Sequence, residues 1–275
     1  MVGVFAFIPI YYQLLQAYHP DFGSHLAPAI IETVSITPTP LPLIPSLSPT
    51  PKVLGVTTDT LPAVGGDGRI YSVAVFGDSM IQTLEPGLPK LATALQKYFP
   101  QSKFNLINYG LPATSIDSAI PHLQQIIDQS PDIIVIESFA YNNFGNSQTG
   151  IDKQWQNLST ITATIKQKLP QTKIVLTATI APNSIVFGNG AKDLHLSSLD
   201  KIEKTKTIKL YLQNLVNFAT SQNYPLANAY SQSLFNGDGL TDFINPSDHI
   251  HTSEYGAEFF SDTIAKAIFD NKLID

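Results

Sequence analysis

The chain has 275 residues, enough for one large core or two smaller ones, and 43% hydrophobic against 14% charged residues mark most of it as globular. Its net charge is −6 and its 16 basic residues include a single arginine, Arg69, so the arginine-bearing basic face of a nucleic-acid binder is lacking. With no cysteine, disulfides, thiol catalysis and cysteine-ligated zinc are excluded, whereas the compartment is left open.

The first 18 residues carry no charged side chain, which is short for a membrane-spanning helix and is interrupted by Pro9, Gln13 and Gln16. No Lys or Arg precedes Lys52, unlike an ordinary signal peptide, and a longer true leader would account for that. The expectation is a membrane anchor or export segment over 1–36, with an apolar helix packed on the domain as the other reading. Residues 37–52 hold six prolines among Thr, Ser and Leu. Proline at that density favours extended polyproline II, so 37–70 reads as a semi-rigid spacer followed by loop. An ordered proline-rich arm lying on the domain is the alternative.

From residue 71 the pattern changes. Apolar runs at 71–76, 104–109, 132–138, 173–180 and, weakly, 225–230 predict strands, separated by helix-length segments at 80–98, 114–129, 151–169, 198–222 and 252–272. The runs DIIVIESF and KIVLTATI are nearly continuous and β-branched, as strands covered on both faces are. The expected fold of 71–275 is therefore α/β, a three-layer α/β/α sandwich on a mostly parallel, flavodoxin-like sheet of five strands. Ligands of such sheets sit beyond the carboxyl ends of the strands.

Four strand-end loops carry chemistry-bearing residues. The first strand runs into Gly77-Asp78-Ser79, where a serine hydroxyl and backbone N–H groups would meet at the start of a helix. By itself this is an ordinary polar cap, because serine is a weak nucleophile without a base. Gly110 ends the second strand and can bring its N–H close to a ligand. Asn142 and Asn143 follow the third and carry donor amides. The last loop, NPSDHIHTSEYG, puts Asp248 three residues before His251, close enough for carboxylate to address imidazole. A metal site from Asp248, His249 and His251, or a solvated loop, are the competing readings there.

Taken together and in this order, these segments resemble the SGNH hydrolase superfamily, the GDSL-like lipases and esterases, over about residues 70–272. Gly77-Asp78-Ser79 matches the first block and Gly110 the second. Ala140-Tyr141-Asn142-Asn143 falls on the Gly-x-Asn-Asp block, and Asp248-His249-Ile250-His251 on the Asp-x-x-His block. The third block departs from its pattern, with Ala140 for glycine and Asn143 for aspartate, which leaves open whether Asn142 or Asn143 is the functional amide. The resemblance implies Ser79 as nucleophile, His251 as general base, Asp248 as its orienting acid, and an oxyanion hole from Ser79 N–H, Gly110 N–H and the Asn142 amide. It implies no metal and no organic cofactor.

The activity so implied is ester hydrolysis through an acyl-enzyme, on a small-molecule or polysaccharide ester. The apolar segment and spacer suggest an extracytoplasmic, membrane-anchored or secreted enzyme, and hence an O-acetylated glycan. Acyl transfer onto a cell-envelope glycan, and a glycan-binding module without turnover, are the rival functions. Phe139, Tyr141, Phe144 and Phe187 lie near the strand ends, where aromatic rings serve either to stack on sugars or to fill the core.

Overall fold

The computed structural model describes residues 69–274, so the apolar 1–36 segment and nearly all of the 37–70 spacer lie outside the described residues. Five strands, β1 (Ile70–Gly77), β2 (Lys103–Gly110), β3 (Ile133–Glu137), β4 (Lys173–Ala178) and β5 (Leu226–Asn228), form one sheet in the order β2-β1-β3-β4-β5. Every pairing in it is parallel. This is the flavodoxin-like order, and its direction of winding reverses between β1 and β3. Such a reversal opens a crevice at the strands' carboxyl ends.

The alternation of side chains explains the continuous apolar runs. On one face Ala74, Phe76, Ile134, Ile136 and Leu176 pack under α3 (Ile116–Ala119), α4 (Leu123–Gln129), α5 (Gln148–Lys168) and α6 (Ser198–Ser221). On the other, Val73, Val75, Ile133, Val135 and Val175 pack under α2 (Pro89–Tyr98) and α8 (Glu254–Asp270). Both faces are covered, so apolar side chains fill both alternate positions over most of each central strand. Each fully buried Val or Ile contributes about 1.5–3 kcal/mol by leaving water.

Two expected helices are broken. The segment 80–98 divides into α1 (Ser79–Gln82) and α2, because Glu85, Gly87 and Leu88 take left-handed backbone (φ 68°, 74° and 51°) on either side of Pro86. The segment 114–129 contains Pro121, and a 3-10 turn over Ile120–His122 separates α3 from α4 there. The fifth predicted strand stops at Asn228, where the asparagine caps the short helix α7 (Ala229–Gln232). A two-stranded hairpin, β6 (Leu234–Phe235) and β7 (Asp238–Gly239), follows it without a counterpart in the sequence reading. No helix among the described residues is long and apolar enough to cross a membrane.

Candidate active site

The chain leaves β1 at Gly77 and turns at once into α1. Gly77 is required because a Cβ there would lie 2.7 Å from Glu137 Cβ and 2.4 Å from Ile81 Cγ1. Asp78 is fully buried and caps α1, its Oδ1 accepting from Met80 N–H at 2.8 Å. Ser79, the first residue of α1, is partly exposed, and its N–H has no acceptor among the described residues. With only four residues, α1 has little of the macrodipole expected of a long helix, so what Ser79 offers an oxyanion is its own N–H.

The segment before α8 returns to the same point. Ser79 donates its hydroxyl to His251 Nε2 at 3.0 Å, and His251 Nδ1 donates to Asp248 Oδ2 at 2.8 Å. Because the carboxylate only accepts, the neutral ring carries its proton on Nδ1 and leaves Nε2 free to accept. Asp248 Oδ1 also takes the backbone N–H groups of Ile250 (2.8 Å) and His251 (3.1 Å). Partial burial works to raise the Asp248 pKa, but these hydrogen bonds outweigh it and hold the carboxyl below its ordinary value. His249 points elsewhere: its Nδ1 donates to the Asn189 carbonyl at 2.7 Å, away from a shared site with Asp248 and His251. No cluster of three His, Cys, Asp or Glu side chains suited to a metal ion occurs among the described residues.

The two asparagines after β3 are placed differently. Asn142 ends a 3-10 turn (Ala140–Asn142) and its Nδ2 donates to Asp78 Oδ2 at 2.8 Å, which sets the amide beside Ser79. The second N–H of that amide remains for a ligand. Asn143 uses its side chain locally, donating to Ala140 O and accepting from Gly145 N–H.

Gly110 is adjacent in the sheet, paired in register with Gly77, but its N–H differs from the sequence expectation. It donates to Asn108 Oδ1 at 2.8 Å, while Asn108 Nδ2 is held by the carbonyls of Ile81 and Glu85. The donor proposed for the hole is therefore engaged by its own strand. What Gly110 provides is room, since a Cβ there would lie 2.1 Å from Gln82 N.

Ser79, Asn142 and His251 open into a cleft of about 810 Å³. Tyr141, Phe187, Leu194, Ile208 and Ile250 form an apolar wall, and Gln82, Asn143, Asn146, Glu203 and Lys204 bring polar groups. Of the four aromatic residues singled out in the sequence, Phe139 is core, packed edge-on against Phe76. Phe144 packs against Tyr211 and the Lys153 ammonium. Tyr141 and Phe187 alone of the four face the cleft, their rings 6.3 Å apart. The wall containing Phe187 and Leu194 comes from the long β4–α6 connection, which carries no motif and of which the sequence drew attention to Phe187 alone.

No protein-family model matches the chain, and no curated protein matches it. Solved structures do. A lipase/acylhydrolase from Enterococcus faecalis aligns at 17% identity with a TM-score of 0.53, over 73% of this chain and 96% of its own. A GDSL-like lipase from Bacteroides thetaiotaomicron aligns at 14% with a TM-score of 0.53, over 73% and 88%. An acetyl xylan esterase aligns at 16% with a TM-score of 0.51, over 72% and 99%. At such identities the likeness is one of fold, shared with solved structures of a lipase/acylhydrolase, a GDSL-like lipase and an acetyl xylan esterase.

Proposed function

We propose that the chain is a serine ester hydrolase of the SGNH type. The observation that carries this reading is the hydrogen-bonded series Ser79–His251–Asp248 at the mouth of a cleft, in a fold shared with lipases and acetyl xylan esterases. Ser79 Oγ attacks the ester carbonyl carbon while His251 Nε2 takes its proton. Asp248 holds the ring and stabilises the imidazolium. The tetrahedral oxyanion receives the Ser79 N–H and the free N–H of the Asn142 amide. His251 then protonates the departing alcohol oxygen. Water, deprotonated by the same nitrogen, attacks the acyl-enzyme, and release of the acid restores Ser79.

For the substrate we propose an acylated, and specifically acetylated, carbohydrate. Aromatic Tyr141 and Phe187 beside the amides of Gln82 and Asn146 suit a sugar ring with its hydroxyl groups. The uncharged start of the chain and its proline-rich spacer favour an extracytoplasmic, anchored or exported enzyme. The test is hydrolysis of an aryl acetate and of acetylated oligosaccharides by the full chain and by Ser79→Ala. The variant should lose activity and fluorophosphonate labelling together; retained hydrolysis would overturn the assignment. With a glycan acceptor present, free acetate as the product fits hydrolysis, and an acylated acceptor would make the enzyme a transferase.

A further inference from the structure

The hydrolytic scheme leaves unused two carboxylates beneath the cleft. Asp78 follows β1 and Glu137 ends the neighbouring, in-register β3, and both are fully buried. Among the described residues no lysine or arginine bonds to either.

Each acid holds a different end of one short turn. Glu137 Oε2 accepts from Phe139 N–H at 2.7 Å, and Oε1 is bonded to the Ser138 hydroxyl, which in turn accepts from Ala140 N–H at 3.3 Å. These bonds fix the start of the Ala140–Asn142 turn, where Phe139 takes a left-handed backbone at φ 54°. Asp78 holds the other end through the Asn142 amide, as described above.

The surroundings divide the two roles. Both Asp78 oxygens face N–H donors, which suits an anion. Glu137 Oε1 faces a hydroxyl, which accepts as readily as it donates and so can receive a carboxylic proton. Two buried anions side by side without a cation are far costlier than one. The other titratable groups acting on the pair are Tyr141, from the turn itself, and His251. From α5 and α6 come only neutral amides: Gln154 Nε2 donates to Ser138 O at 2.7 Å, and its Oε1 accepts from Asn214 at 2.8 Å. Burial pushes Asp78 up to about 6. Burial, and then the neighbouring Asp78 charge, push Glu137 well above the ordinary carboxylate range.

We propose that Glu137 is a positioning residue: as a neutral carboxylic acid it fixes the Ala140–Asn142 turn and leaves Asp78 as the one buried anion that orients the Asn142 amide. Its kinetic consequence rests on the esterase reading; its protonation state does not.

Glu137→Gln keeps the shape with one acceptor and one donor, as in the neutral acid, and Glu137→Ala removes both. On an aryl acetate the Gln variant should keep kcat within about threefold, and the Ala variant should lose more than about tenfold in kcat with KM within about twofold. Adding Asn142→Ala should cost on the order of a hundredfold in the wild type but under about fivefold in the Glu137→Ala background, because the amide is then already misplaced. At about pH 8, above the Asp78 range, the infrared carbonyl band of a protonated carboxylic acid should be present in the wild type and absent in Glu137→Gln. A folded Gln variant down more than about tenfold, a folded Ala variant with unchanged kcat, additive losses, or a missing band each overturn the proposal. If Glu137→Ala does not fold, the Gln variant and the band decide. The band needs no activity, so a failure of the esterase reading would be seen separately.

Discussion

Asp248 grips His251 at two points, Oδ2 on the ring Nδ1 at 2.8 Å and Oδ1 on the backbone N–H of the same residue at 3.1 Å. One carboxylate thus sets both where the residue sits and which ring nitrogen carries the proton. Asp248→Asn keeps the size but can present an N–H to Nδ1, which favours the other tautomer and puts the proton on Nε2, where Ser79 needs an acceptor. kcat on an aryl ester should fall by about 10²–10⁴ with little change in KM. Steady-state kinetics check this, and an equal rise in KM would point to lost binding instead.

The two asparagines of the third loop should behave differently. Asn142→Ala removes the amide beside Ser79 and should lower kcat by about 10²–10³. Asn143→Ala breaks only local turn bonds and should stay within about threefold. Equal losses in the two variants would return the register of that block to doubt.

Asp78 couples activity to stability with a definite sign. Its folded-state pKa, about 6, lies above the ordinary 3.8 because of burial, with the Met80 N–H and Asn142 bonds pulling it back. A carboxyl raised in the folded state stabilises the fold fully below its unfolded pKa. That contribution is lost as pH rises from about 4 through about 6. Asp78→Asn removes the charge and should gain on the order of 2–3 kcal/mol at pH above 7, less the strain at Asn142. The same change sets amide against amide, so Asn142 must flip its oxygen toward residue 78 and away from the hole with its donor lost. Denaturant unfolding against pH, read beside kcat, should therefore show a more stable and at least tenfold slower enzyme above about pH 7.

Gly110→Ala should be destabilised by about 3 kcal/mol, because its Cβ would meet the Gln82 backbone at 2.1 Å and neither chain is a flexible side chain that can yield. Thermal unfolding would measure it. A variant as stable as the wild type would mean that α1 can shift outward without penalty.

Most of the architecture was legible because its signals are local. Val73–Phe76 and Ile133–Ile136 are unbroken apolar runs, mostly β-branched, of the kind a doubly covered strand accommodates, and Ser197 and Ser253 cap long helices as their types favour. The Pro86-Gly87 and Pro121 breaks were also local, yet the apolar periodicity on either side of each is continuous and masks them. The site was legible in part, since Ser79 and the Asp248–His251 pair are chemically conspicuous at the ends of elements. Glu137 was not, because a lone acid within the strand run 132–138 belongs to no motif and its partners Ser138 and Phe139 are seen only in the fold. The engagement of Gly110 by Asn108 was hidden too: it depends on Asn108 being held by Ile81 and Glu85, over twenty residues earlier in the chain.

The position of α8 bears on when the site comes into being. His251 stands three residues before this last helix, whose Phe260, Ile264 and Ile268 pack on the same sheet face as Val73 and Val75 of β1. Ser79 is made by the ribosome well before its partner, with 172 positions between them. A chain stopped short of α8 would hold its serine and oxyanion donors but have no base in place. On the esterase reading, hydrolysis would then begin only once α8 has been made and has docked, so that no shorter nascent fragment turns on esters around it.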